Sequence, residues 1–330
     1  MKILIISGFL GAGKTTFIKE LIRRTGIRPV VLENEYGRNN IDALDLQQSQ
    51  QDSGELKVLE FMEGCVCCTM KDSFVNSVLT IFTGLTPDYL IVEPTGVGRL
   101  SNILENLRPL LHGNVSLLRP VVVLSPQTYQ QNMAEWPELY RDQVSNAQIV
   151  VCSKCEHTLP ELMQRVAGQI RELNPDAEIL QEHYSTREDG WWRSLVDLSA
   201  EDQTIIGDSR EDKALSQIGL SCARLTNPAE LIQVLEDCLR GEFGHIARAK
   251  GTVLVGNEIL RFDLADRLYA VTGSDVEKRQ CVFIGEELNK LKLCQRMGTT
   301  LIKEGYGPAN AGPRSKRTLR KLETSPRRSE

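Results

Sequence analysis

Apolar residues come in short unbroken runs over the first half of this chain, separated by stretches with helical spacing. Ile3, Leu4, Ile5 and Ile6 make the first run, and their β-branched content predicts a strand over 2–7 that is buried on both faces. Similar runs at 28–32, 57–61, 88–92, 119–124 and 148–152 predict further strands. Between them, 17–24, 73–82 and 159–173 repeat apolar positions every three or four residues, as amphipathic helices do, the last ending ahead of Asn174-Pro175. Strands alternating with helices predict an α/β fold. The sheet should be mostly parallel with helices on both faces, and ligand loops should gather at the strands' carboxyl ends.

The pattern changes near residue 182. The stretch 182–216 is polar, with charge runs such as Arg187-Glu188-Asp189 and Arg210-Glu211-Asp212-Lys213, and reads as a linker. Trp191-Trp192 stand out there and should pack against a neighbouring domain. Beyond it, 219–225 reads as a strand, 228–240 as a helix capped by Asn227, and 247–255 with 259–264 as a hairpin across Gly256-Asn257. Residues 280–284 and 286–295 predict a last strand and helix. The predicted organisation is an α/β domain over 1–181, a linker over 182–216, a smaller α+β domain with an open-faced sheet over 217–304, and a tail over 305–330.

Composition narrows the function classes. The chain has 330 residues, 41% hydrophobic and 25% charged, with a net charge of −5. That balance is ordinary for a globular protein and argues against a surface that coats nucleic acid. From Gly307 onward, seven Lys or Arg face two Glu, so the tail is basic and low in apolar residues, and disorder is expected there. A solvated terminus is the plainer reading of it than a nucleic-acid arm. No apolar stretch approaches the ~20 residues that cross a bilayer, and the first apolar run reads as a strand rather than a leader. A cytoplasmic protein with no membrane partner is expected, and its nine cysteines read as thiols or metal ligands.

Residues 8–15 read Gly8-Phe9-Leu10-Gly11-Ala12-Gly13-Lys14-Thr15, a complete G-x-x-x-x-G-K-T directly after the first strand. A strand that turns through glycines into a helix N-terminus aims several backbone N–H groups at one point, where the helix dipole favours an anion. Gly8, Gly11 and Gly13 permit the turn, Ala12 and Thr16 complete the loop, Lys14 would reach the β- and γ-phosphates, and Thr15 would ligate Mg²⁺. A nucleoside triphosphate is the predicted ligand. Glu93-Pro94-Thr95-Gly96 ends an apolar strand in the form of a Mg²⁺ and γ-phosphate motif, with Glu93 toward the metal and the Gly96 N–H toward the phosphate. Ser153-Lys154-Cys155-Glu156 follows a late strand, where Glu156 would accept hydrogen bonds from guanine and the Lys154 stem would cover the base. Ser153 stands where an asparagine is usual in such motifs. Cys65-Val66-Cys67-Cys68, preceded by Glu63-Gly64, brings three thiols within four residues and predicts a transition-metal site, with Glu35 or Glu63 nearest to complete it. Cys152 and Cys155 read instead as ordinary thiols.

Together these segments resemble the CobW-type family of P-loop GTPases, which are metal chaperones or metallocentre insertases. The resemblance rests on residues 8–16, Glu33-Asn34-Glu35-Tyr36-Gly37, the cysteine loop, 93–96 and 153–156, in family order. Arg248-Ala249-Lys250-Gly251 and Val282-Phe283-Ile284-Gly285 look like the family's C-terminal domain. The resemblance implies a GTPase using GTP and Mg²⁺, whose cysteine loop binds Zn²⁺ or Co²⁺ and passes it to a client metalloprotein. Lys14, Glu35 and Glu93 are then the catalytic candidates, with Glu35 either orienting water or joining Cys65, Cys67 and Cys68 on the metal. None of these motifs supplies an arginine to the transferring phosphate, so slow turnover is expected. The alternatives are a GTP-dependent activator of a cobalamin or nickel enzyme, and a small-molecule kinase on the same loop.

Overall fold

The computed structural model describes residues 1–33, 57–60, 70–200, 205–206, 216–276 and 279–301. Glu35, Glu63, Cys65, Cys67, Cys68, the stretch 37–54 and the tail lie outside the described residues.

The first region runs β1 (Lys2–Ser7), α1 (Lys14–Thr25), β2 (Val30–Glu33), β3 (Lys57–Glu60), α2 (Met70–Gly84), β4 (Tyr89–Glu93) and α3 (Leu100–Leu107). It continues with β5 (Ser116–Leu117), β6 (Val121–Leu124), α4 (Tyr129–Glu135), α5 (Pro137–Ser145), β7 (Ile149–Cys152), α6 (Pro160–Leu173) and β8 (Glu178–Leu180). The strands form one sheet in the order β3-β2-β4-β1-β6-β7-β8, with β5 also beside β1. Every pairing in it is parallel. The pleat explains why apolar runs rather than alternation mark these strands. Ile3 and Ile5 enter one core with Val122, Val150 and Ile170, while Leu4 and Ile6 enter the opposite core with Phe17, Val121 and Val151. Central β1 lies between β4 and β6, so the loops leaving β1, β4 and β7 open on one edge of the sheet.

The stretch read as a linker differs. Tyr184–Thr186 is a 3-10 turn and α7 (Asp189–Asp197) packs on α1. Trp192 is fully buried, its ring 5.2 Å from that of Phe17. Asn146 hydrogen-bonds both the carbonyl (2.7 Å) and the N–H (2.8 Å) of Ile206. Trp192, Leu195 and Val196 make a narrow apolar stripe that the flanking charges obscure in the sequence.

The second region runs β9 (Ser216–Ser221), β10 (Arg224–Leu225), α8 (Pro228–Leu239), β11 (His245–Val255), β12 (Glu258–Ala265), β13 (Leu268–Gly273), β14 (Gln280–Glu286), α9 (Lys290–Arg296) and β15 (Thr300–Leu301). The strand expected over 219–225 is split into β9 and β10 around Cys222, whose φ is 59°. The Asn227 side chain accepts from the Glu230 N–H at 3.1 Å and caps α8. Val255 pairs with Glu258 across Gly256-Asn257, as the hairpin reading predicts. The sheet order is β13-β12-β11-β14-β9-β15. Ala249, Val253, Phe262 and Phe283 pack with Leu231 and Leu235 of α8 and Leu293 of α9. The other face is not open. Ala247, Val282 and Ile284 join the first region's core. Among the described residues no helix is long and apolar enough to cross a membrane.

Candidate functional site

The glycine loop leaves β1 under tight steric control. Gly8 has φ 138°, and a Cβ there would fall 2.1 Å from the Val123 carbonyl oxygen, a collision between backbones. Gly13 (φ 92°) begins α1 without a side-chain cap, so the helix's first N–H groups are left to an anion. Lys14 is only 6% exposed, and its ammonium donates to the carbonyls of Gly8 (3.0 Å) and Phe9 (3.2 Å). The Thr15 hydroxyl donates to the Glu93 carboxylate at 3.0 and 3.3 Å. A hydroxyl and a carboxylate converging at the foot of a phosphate loop are hard oxygen donors of the kind Mg²⁺ prefers, so the residues present fit that ion.

Behind Glu93 the chain turns back over the loop. A Cβ on Gly96 would lie 2.5 Å from the Leu10 nitrogen, so only glycine lets the two segments touch. Gln143, buried on α5, donates its amide to the carbonyls of Gly96 (3.2 Å) and Gly98 (3.0 Å) and fixes this turn from the far side. Ser153, at the end of β7, donates its hydroxyl to the Ala12 carbonyl at 2.5 Å. The serine in the asparagine position thus ties β7 to the glycine loop. Glu156, beyond it, lies 3.4 Å from His183. The Cys155 thiol donates to the Cys152 carbonyl at 3.6 Å, and burial pushes the Cys152 thiol up to about 12. Among the described residues no group of three or more His, Cys, Asp or Glu could hold a metal ion.

A cleft of ≈ 490 Å³ gathers Gly11, Gly13, Lys14, Thr15, Thr16, Glu93, Gly96 and Lys154. That volume suits a nucleotide-sized ligand. Gly8, Ala12, Ser153 and Glu156 are not part of its lining. Sequence reasoning quoted Glu33 only within a family segment and gave it no role, yet it is 3% exposed, pairs in register with Glu93 and lines the cleft. Its signal was its place, an acid closing a buried strand. Gln143 and Asp263 were missed, and Arg248 and Lys250, singled out in the sequence only as part of a family segment, were not expected in the cleft's second wall, where they and Asp263 of the C-terminal sheet face the glycine loop.

Comparison with known proteins agrees with this geometry. The family profile "CobW/HypB/UreG, nucleotide-binding domain" matches residues 2–181. Zinc chaperone YeiR of Escherichia coli (strain K12) is 32% identical over 179 residues, 53% of each chain. Zinc chaperone YjiA of the same organism is 24% identical over 313 residues, 86% of this chain and 93% of that one. Zinc-regulated GTPase metalloprotein activator 1 of Dictyostelium discoideum is 24% identical over 210 residues, 53% of this chain and 44% of its own length. Apart from YjiA, these matches span about half the length of the relatives. With more than half of its length matched by that profile, the chain belongs to the CobW/HypB/UreG family of nucleotide-binding proteins.

Proposed function

We propose that this chain is a GTP-hydrolysing metal chaperone of the cytoplasm. Its nucleotide state would set the affinity of Cys65, Cys67 and Cys68, with Glu35, for a transition ion (Zn²⁺ or Co²⁺) that it delivers to a client metalloprotein. The observation that carries the nucleotide part is the Thr15–Glu93 contact at 3.0 Å beside a buried Lys14 and an uncapped helix N-terminus. The metal part is supported by the cysteine triplet and by the names of relatives called zinc chaperones.

Mg²⁺ held by Thr15 and Glu93 would supply positive charge to the β- and γ-phosphates. The rest falls to the chain. Lys14 would exchange its two carbonyl acceptors for β- and γ-oxygens, and the first N–H groups of α1 would hold the β-phosphate. The Gly96 N–H would meet a γ-oxygen, present in GTP and absent in GDP. Glu156 would accept from the guanine edge, and Glu35 would orient water or ligate the ion. Water adds to the γ-phosphorus as its bond to the β–γ bridging oxygen breaks, giving GDP, inorganic phosphate and a proton.

Such a switch needs a coupling free energy of typically ~1–3 kcal/mol between nucleotide and metal, and linkage makes it reciprocal. Calorimetric titration of GTP and GDP with and without Zn²⁺ or Co²⁺ tests it. The expected result is a roughly 5- to 150-fold metal effect on GTP affinity, lost in the Cys65→Ser, Cys67→Ser, Cys68→Ser variant. Equal GTP affinities with and without either ion defeat the coupling.

A further inference from the structure

The second wall of the cleft is one face of the C-terminal sheet, and its chemistry is unusual for a sheet face. Strand β11 alternates. Ala249 and Val253 enter the core under α8, so Arg248 and Lys250 fall on the opposite face. On that face Val282 and Ile284, joined by Ala247 where an irregularity in the β11–β14 register between Ile246 and Arg248 interrupts the alternation, pack into the first region's core and dock the sheet. Arg248 pairs across β14 with Ile284, and Lys250 with Val282, so two cations are set into an otherwise apolar docking face. They occur where that face crosses the cleft, which both residues line. Lys250 is only 5% exposed, and an ammonium is buried where anionic charge compensates it. Asp263, in register with Lys250, takes a hydrogen bond from Arg248 at 3.2 Å and holds the guanidinium in place.

Three contacts fix this wall relative to the glycine loop. The two-residue turn between β12 and β13 places Asp266 (φ 53°) and Arg267 (φ 58°) in the left-handed region that such turns usually give to glycine or asparagine. The strain sits at a contact. A Cβ built on Gly11 would lie 3.2 Å from the Ala265 Cβ and 3.6 Å from an Asp266 carboxylate oxygen. On the flank, His245 stacks on Trp136 with ring centroids 4.4 Å apart and planes 8° apart, and Arg267 reaches Glu135 at 3.4 Å. The cations are therefore carried on a rigid strand anchored on both sides of the cleft.

The geometry points to Arg248 and Lys250 as catalytic residues that the C-terminal domain delivers, within the same chain, to the γ-phosphoryl group of bound GTP. This rests on the GTP reading above. As water adds to the γ-phosphorus and the bond to the β–γ bridging oxygen breaks, charge spreads over the γ-oxygens and the leaving oxygen, and these cations meet it. The same contact makes the docked arrangement of the two domains more stable in the triphosphate state than in the diphosphate state, because GDP has no γ-oxygens to bridge them.

The test compares wild type with Arg248→Ala, Lys250→Ala, Arg248→Lys and Lys250→Arg in the full chain. Affinities are measured for GDP and for a non-hydrolysable GTP analogue, together with single-turnover hydrolysis. GDP affinity serves as the check on folding. The expected result for the alanine variants is GDP binding within about threefold of wild type. Analogue binding should weaken at least about tenfold and hydrolysis about a hundredfold or more, in the direction known for trans-acting arginines. The conservative variants should recover part of both losses. An unchanged ratio of analogue to GDP affinity with unchanged hydrolysis overturns the proposal, as does an equal weakening of both nucleotides, which would mark the pair as structural. A wild-type protein that binds neither nucleotide overturns the GTP reading itself.

Discussion

Replacing Gly96 with alanine probes whether the turn after β4 reads the γ-phosphate. The added methyl would lie 2.5 Å from the Leu10 nitrogen and 2.8 Å from its Cα. To reach ordinary contact it must retreat by about 1 Å, and Leu10 cannot yield because it belongs to the glycine loop itself. Gln143 resists from behind, through its 3.2 Å bond to the Gly96 carbonyl. A displacement of about 1 Å carries an N–H···O contact beyond hydrogen-bond range. Hydrogen bonds to charged groups are worth about 1.5–3 kcal/mol, so GTP affinity should fall roughly 10- to 150-fold. GDP offers that N–H nothing, and its affinity should stay within about threefold. Equilibrium titration of GDP and a non-hydrolysable GTP analogue on the same preparation reads both numbers. A parallel fall for both nucleotides would mean that the methyl deforms the whole phosphate loop. No fall for either would mean that Gly96 does not meet the γ-phosphate.

How much of this site could be read in advance follows from how its parts are distributed along the chain. The glycine loop is contiguous, and its residues constrain one another within eight positions, so Lys14 and Thr15 could be placed from sequence. Pairing Thr15 with Glu93 needed only the order of two strands, since β1 and β4 are neighbours. The two-faced strands were legible because burial on both sides leaves unbroken apolar runs. The layer built by α7 was not, because Trp192, Leu195 and Val196 sit among charges that a linker would also carry. Arg248 and Lys250 were harder still. Alternating with Ala247, Ala249 and Gly251, they have the pattern of a solvated sheet face, and nothing local says that another domain covers it. The His183 ring beside Glu156 could not be foreseen for the same reason, since it comes from beyond α6 and β8. Sequence pattern marks which residues share a face; what lies against that face is decided by tertiary docking.

Three further substitutions test the framework around the cleft. Trp192→Ala removes a fully buried indole packed on Phe17, and urea unfolding should show a loss of about 3–5 kcal/mol; a loss below about 1 kcal/mol would make α7 peripheral to the fold. Ser153→Ala deletes the 2.5 Å bond to the Ala12 carbonyl and should weaken GTP and GDP alike, by the roughly 5- to 150-fold that about 1–3 kcal/mol implies, whereas a loss confined to GTP would place its action at the γ-phosphate instead. Glu20→Gln tests the surface charges of α1 through pH. Glu20 accepts from Arg23 at 2.8 Å and from Arg24 at 2.9 Å, and the hydrogen bond with Arg23, followed by that with Arg24, outweighs partial desolvation and lowers its carboxyl from 4.5 to about 2. A carboxyl more acidic in the folded than in the unfolded chain contributes stability above the unfolded value, and that contribution disappears as pH falls toward the folded one. Solvent around the exposed Arg23 and the partly exposed Arg24 keeps it below about 1 kcal/mol. Denaturant unfolding should therefore find Glu20→Gln slightly less stable than wild type at pH 7, with the gap closing between about 4.5 and about 2; a gap that widens on acidification would show that the ion pairs on α1 do not stabilise the folded state.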